Sequence, residues 1–316
     1  MSRWSRWAAF LDVREVGTSI ALVRVLVATC VLRTLGSVWW SGVYGAAWAD
    51  HANGGWRQHL DSDPLWRLLG GFDPSTRDGL AIAAVVSAAL LALGVGGEIV
   101  ARLIALLCLQ SFMALGDLNG HAAGSYDSLI TNSLWLLVLA GPSRTLSVEC
   151  RTSTGAWTSE RTVMRWPRFL IVVQAVVMYG TTGWQKLSDH WVPGGDLGAL
   201  WYIEQQPTWQ LHDMRWLAPL YPLTQAATLL TWLWEVTAPV WLMAWLAEAD
   251  PTSVGWFARW LRRLRARDVY LVLGVVFHSL VAVTMQIGPF SWASMALYPA
   301  FIHPQEWARI TSGRVR

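Results

Sequence analysis

The chain has 316 residues, 54% of them hydrophobic and only 14% charged, with a mean hydropathy of +0.34 and a formal net charge of +3. An average soluble domain is about 25% charged, so this composition excludes a soluble enzyme, a disordered chain and a disulfide scaffold. The small positive charge gives no argument for nucleic acid as a partner, and Cys30, Cys108 and Cys150 follow no metal spacing.

A bilayer core of about 30 Å is crossed by about 20 helical residues. In chain order, residues 1–15 carry Arg3, Arg6 and Arg14 and read as a cytoplasmic N-terminal segment. Predicted spans follow at 16–40, 79–97, 99–115, 126–141, 167–187, 226–247, 268–287 and 288–303, and a basic cytoplasmic tail at 304–316. The last run is short and interrupted by proline, so it reads as a span or as a re-entrant piece. Arg24 and Arg33 interrupt the first run, which is therefore expected to be retained rather than cleaved as a signal. Segments 41–78 and 188–225 are rich in Gly, Pro, Asp and Trp and are expected to fold over the outer face. Tryptophans at predicted span ends, such as Trp39, Trp40, Trp184, Trp191, Trp201 and Trp256, suit headgroup anchors.

The fold class predicted is all-α, a polytopic integral membrane helix bundle of about eight spans with lipids as its surroundings. With both termini cytoplasmic, Arg57, Arg67, Arg77, Lys186 and Arg215 lie outside, Arg24 and Arg33 lie within the first span, and the other 17 of 24 basic residues lie inside. That asymmetry fixes the orientation by the positive-inside rule. Arginine-heavy usage and compact length point to a bacterial cytoplasmic membrane, with any polar cavity facing outward.

Ionisable groups inside spans are costly, and each is a candidate for function. Glu235 in Trp234-Glu235-Val236-Thr237-Ala238-Pro239 reads either as a structural counter-ion for Arg24 or Arg33 or as part of a site, and Pro239 is expected to kink the helix beside it. His278, deep in the seventh run, is either a satisfied bundle histidine or a site residue. Lys186 is the one lysine among 24 basic residues. It either snorkels to the headgroups or serves as a base, which an arginine in its place could not do. Tyr179, Gly183 and Lys186 share one helix face at i, i+4 and i+7, a stripe that describes a pocket wall. No phosphate loop, Gly-x-Ser-x-Gly elbow, Cys-x-x-Cys pair or His-Glu-x-x-His occurs, and no metal is expected.

Three blocks carry a resemblance. Gln174-x-x-x-x-Tyr179-x-x-x-Gly183-x-x-Lys186-Leu187-x-x-x-Trp191-x-x-Gly194 is the most specific; the others are Asn119-Gly120-His121, and His278 through Ile287-Gly288-x-Phe290-Ser291 to Pro304-x-Glu306-Trp307. Together they resemble the horizontally transferred transmembrane family, whose best known relative is the vitamin K-dependent gamma-carboxylase. The resemblance covers nearly all of this chain and only the membrane half of that enzyme. It implies a reduced quinone as cofactor, deprotonated by a membrane lysine so that reaction with oxygen yields a strong base for carbon deprotonation and carboxylation. It places that base at Lys186, with His121 and Asn119 polarising or orienting the quinol and His278 and Tyr179 as further polar groups of the cavity. Gln185 and Gly120 depart from the carboxylase pattern. The chain also ends soon after its last apolar run, so docking of glutamate-rich propeptides is not expected. The activity implied is a carboxylase-like lyase with quinol epoxidation, acting on a small molecule or peptide. The alternative is a non-catalytic maturation or immunity partner of an exported peptide, like the sporulation-delaying toxin-processing relatives.

Overall fold

The computed structural model describes residues 2–49, 55–56, 74–119, 123–250 and 255–311. The chain divides into two compact units, Met1–Phe169 with Pro304–Arg316, and Leu170–His303. Helix dominates both.

The first unit holds α1 (Arg3–Leu11), β1 (Arg14–Val16), α2 (Thr18–Trp40), α3 (Tyr44–Trp48), α4 (Pro74–Leu93), α5 (Glu98–Leu118), α6 (Ser125–Ala140), α7 (Val148–Thr154), β2 (Thr162–Met164) and the start of α8 (Trp166–Gln185). Helices α4 and α5 form a hairpin, with α2 against α4 and α6 against α5. Small buried residues, Ala84 and Ala88 on α4 and Ala105 and Cys108 on α5, let helices approach closely where lipid supplies no hydrophobic drive for association. The opposite faces show Ile82 and Val86 on α4 and Ile99, Leu103 and Leu107 on α5, all exposed and spaced three or four residues apart. Such apolar stripes suit contact with acyl chains. The strands pair antiparallel with Glu15 opposite Val163, and Arg168 donates a two-pronged hydrogen bond to the Glu15 carboxylate at 2.5 and 2.8 Å. The predicted tail forms α15 (Pro304–Thr311), tied to α2 by a 2.9 Å bond from Trp307 Nε1 to Ser19 Oγ.

The second unit continues α8 and adds α9 (Ala199–Glu204), a 3₁₀ turn (Arg215–Leu220), α10 (Tyr221–Val236), α11 (Ala238–Ala249), α12 (Trp256–Arg263), α13 (Ala266–Thr284), α14 (Phe290–Met295) and a second 3₁₀ turn (Tyr298–Phe301). Its core is aromatic. Trp241 and Trp245 are fully buried, and Trp241 stacks on Phe301 with ring centroids 3.8 Å apart. Trp234 is buried too, whereas Trp39, Trp40, Trp184 and Trp256 are exposed as anchors require. Val272, Val276, Leu280 and Val283 form an exposed apolar face on α13.

Among the described residues four helices are long and apolar enough to cross a membrane: Thr18–Trp40, Pro74–Leu93, Glu98–Leu118 and Ala266–Thr284. A fifth crossing arises if Arg215–Val236 and Ala238–Ala249, bent by 55°, count as one. The run predicted at 226–247 is thus broken beside Glu235, where Pro239 lacks the N–H that would continue the ladder. The run at 288–303 is not a spanning helix: it folds as six-residue α14 and a four-residue 3₁₀ turn, too short for a bilayer. Helices α6, at 16 residues, and α8, at 20, occupy the predicted runs 126–141 and 167–187. Segment 188–225 holds α9 and the first 3₁₀ turn before α10 begins at Tyr221. Most of 41–78 lies outside the described residues.

Candidate functional site

The second unit gathers polar side chains from two apolar helices and a 3₁₀ turn. Tyr179 on α8, His278 on α13 and Tyr298 in the closing 3₁₀ turn are all buried. Tyr179 Oη shares one hydrogen bond with His278 Nε2 at 2.7 Å and another with Tyr298 Oη at 2.8 Å. Trp234 lies against Tyr179 with centroids 4.5 Å apart, and Phe277 and Phe290 flank the imidazole. His278 Nδ1 and Ser291 Oγ are buried with no hydrogen-bond partner among the described residues. Because a buried polar atom without a partner is unfavourable by about 1–3 kcal/mol, the cluster is a buried polar group whose own side chains do not fully satisfy it.

Lys186 stands just past the end of α8, and its Nζ donates to Glu235 Oε2 at 2.5 Å. The carboxylate side chain is 4% exposed and the lysine side chain 18%, so the pair sits at the edge of the packed region with its acid inside. The amine also lies 4.2 Å from the centroid of the Trp191 ring, within range of a cation–π attraction. Gly183 permits this meeting: a Cβ there would lie 2.7 Å from Glu235 Cβ and 2.7 Å from the Val236 nitrogen. Its small size therefore serves the approach of the α10 backbone. The stripe Tyr179, Gly183 and Lys186 is a packing face, not the open pocket wall that spacing alone suggested.

The break after Glu235 frees backbone carbonyls, and neighbouring side chains take them up. Trp184 Nε1 donates to the Val236 carbonyl at 3.1 Å, and Tyr270 Oη donates to the Thr237 carbonyl at 2.9 Å. The kink is thus held from two sides, which fixes where the Glu235 carboxylate points.

Glu235 pairs with Lys186, where the sequence suggested Arg24 or Arg33. In the first unit Arg24 is fully buried and donates to the carbonyls of Pro142 at 2.9 Å, Ala92 at 3.4 Å and Leu146. The two terminal nitrogens of an arginine can be taken up by carbonyls alone, so a buried arginine does not require a carboxylate. Arg33 on the same helix is exposed. Asn119 is buried at the end of α5 and donates its Nδ2 to the Ala47 carbonyl at 2.5 Å. His121 lies outside the described residues.

Two contacts of the site escaped the sequence reading. Tyr298 sits in the apolar run that reads as a span or a re-entrant piece, and its place in the cluster appears only when the fold brings its hydroxyl to that of Tyr179. Trp191 reads as an interfacial anchor until the lysine beneath it is seen.

No curated protein and no solved structure matches the chain. The model of the HTTM domain matches residues 80–307, which includes α5, the Lys186 block, the kinked helix pair and the His278 cluster. That match spans well over half of the sequence and agrees with the apolar helices and with the lysine and histidine blocks, so the chain belongs to the HTTM domain family of membrane proteins related to the membrane domain of the gamma-carboxylase.

Proposed function

We propose that this HTTM-domain protein is a carboxylase-like membrane enzyme whose Lys186–Glu235 pair takes the hydroxyl proton of a reduced quinone. The observation that carries the reading is the pairing of the chain's one lysine with an almost fully buried carboxylate. Passing the ammonium proton to Glu235 Oε2 leaves an amine and a carboxylic acid, with no change in net charge and so little new desolvation cost. The free amine is then the base for an incoming hydroxyl, and the ammonium it becomes stands beside the resulting oxyanion.

The residues fit such a hydroxyl. The ammonium has three hydrogens and gives one to Glu235, its side chain keeps some exposure, and the Trp191 face offers an apolar surface next to it. When bound, a reduced quinone would supply the redox half of the chemistry by reacting with oxygen once its hydroxyl proton is gone. The bond between Tyr179 and His278 gives a second place to hold a proton within the membrane part of the unit. Asn119 and His121 enter as polarisers of the quinol through the family resemblance alone. The reading keeps the N-terminus in the cytoplasm of a bacterial cell and the site toward the outer face, on the arginine distribution. A small molecule or peptide would be carboxylated or oxygenated there.

The test is turnover by the purified protein with a reduced naphthoquinone, following quinone epoxide and carbon dioxide incorporation. Lys186→Arg keeps the ion pair but cannot give up its proton, so it is expected to lose activity while its folded yield stays that of the wild type. Glu235→Gln is expected to slow turnover by roughly 10²-fold. An active arginine variant removes the base.

A second reading, a non-catalytic maturation or immunity partner for an exported peptide, draws on the same pair. An amine already bonded to a carboxylate also describes a structural link between α8 and α10. Saturable binding of an exported peptide by a protein that turns over no quinol, unchanged in Lys186→Arg, would favour it.

A further inference from the structure

A second site lies in the same unit, away from the residues used above except for one shared wall. A cavity of about 360 Å³ opens between α9, the first 3₁₀ turn, α10 and α13, within the size range of small-molecule sites. Along α13 its lining runs from Thr284 back to Leu273, about 16 Å at 1.5 Å per residue. Leu223, Leu230, Val276 and Leu280 line it and are themselves exposed on the faces that suit acyl chains, so it can be entered sideways from a membrane. Trp234 also lines it, and that same ring packs against Tyr179.

One acid lines this apolar space. Glu204, the last residue of α9, is 9% exposed. Its Oε1 accepts from the Thr284 hydroxyl at 3.0 Å, while Oε2 is buried with no partner among the described residues. The position is held firmly: Gln210 Nε2 donates to the Glu204 carbonyl at 2.6 Å, and Leu211 donates its N–H to the Thr284 carbonyl at 2.9 Å. A fixed, buried carboxyl oxygen left unpaired is disfavoured by about the worth of a lost hydrogen bond. A ligand bringing a donor to that atom relieves it, whereas a pure hydrocarbon does not.

We propose that this cavity binds a membrane-soluble amphiphile with one apolar chain and a hydrogen-bond-donating head, an alcohol or a protonated amine, the head on Glu204 Oε2 and the chain lying along α10 and α13. The chain displaces nothing polar, since the remaining polar lining consists of Thr224, Thr231 and Thr284 at the edges of the helices. An anionic head would place like charges together and is rejected. The site does not depend on the Lys186 chemistry, and failure of either leaves the other standing.

The experiment uses the full chain in nanodiscs and dodecanol bearing a mid-chain diazirine, photo-crosslinked and mapped by mass spectrometry. Label is expected on the peptides holding Leu223, Leu230 and Leu280. It should be competed by dodecanol and not by dodecanoate or dodecane; competition by dodecylamine as well extends the head to a cation, and its failure restricts the head to a neutral donor. Glu204→Leu removes the acceptor without burying a new polar group and is expected to cut labelling about tenfold. Ala227→Trp, which fills the cavity, is expected to abolish it at an unchanged unfolding temperature. Equal labelling of wild type and Glu204→Leu, or equal competition by dodecanoate, overturns the proposal and leaves a groove filled by bilayer chains alone.

Discussion

Arg24 in the first unit and Lys186 in the second are both cations set among apolar helices, and the fold accommodates them in opposite ways. Arg24 meets no carboxylate among its identified partners: its fork is closed by three backbone carbonyls, at the end of α4 and in the loop after α6. Gly94 makes room, since a Cβ there would lie 2.6 Å from Arg24 Nη1, and its φ of +65° favours glycine. Lys186 meets one carboxylate and one aromatic face. Carbonyls cannot take a proton, so the arginine site is a clamp. The lysine and its acid can exchange one, which is what the proposed base chemistry needs.

The comparison can be broken by substitution. Arg24→Met leaves the carbonyls of Pro142 and Leu146 buried and short of a donor, and the expected loss is about 4 kcal/mol, read as a lower unfolding temperature in detergent. No second change rescues it, because the partners are backbone. Lys186→Met is expected to lose about 2 kcal/mol, less than for a deeply buried pair because the lysine keeps some exposure. Here the partner is a side chain, so Lys186→Met with Glu235→Leu should recover most of the loss, as replacement of whole buried ion pairs by apolar residues usually does. A double variant no more stable than the single one would mean that Glu235 has other obligations and that the pair is no simple unit.

Much of this was legible in the sequence, and the reasons differ by residue. The membrane helices follow from run length and the scarcity of charge, and α2, α4, α5 and α13 lie where the runs predicted. Pro239 marks the kink because a missing N–H acts locally. Lys186 stands out by number alone. Its partner did not, since a buried acid pairs with whichever cation the helix packing brings near. Packing is decided by residues such as Gly183, whose meaning appears only when α10 is seen against it. The cavity beside Glu204 was invisible for a similar reason: an acid ending a short helix in a loop-rich segment looks solvated until Thr284 arrives from 80 residues away.

The smallest expected effects set two acids of the second unit against each other, one at the surface and one buried. Asp196 lies below its ordinary value of 3.8, held there first by the hydrogen bond with His190 Nδ1 at 2.8 Å and then by the Gly198 N–H. Its contribution to stability is complete above about 3.8 and is lost as pH falls through the lower native value. Burial pushes Glu204 the other way, above 4.5, with the Thr284 hydroxyl opposing the shift. The native acid then keeps a proton that the unfolded chain has released, so its contribution is complete below about 4.5 and is lost as pH rises through the native value. Unfolding temperatures measured from about pH 3 to pH 8 separate the two: Asp196→Asn should flatten the acid limb only, and Glu204→Gln the limb above 4.5 only. An amphiphile whose cationic head pairs with Glu204 should shrink that upper limb in the wild type too, because an ionised carboxylate is what it binds. An upper limb that survives Glu204→Gln unchanged would assign it to another buried group and separate the cavity's acid from the pH response.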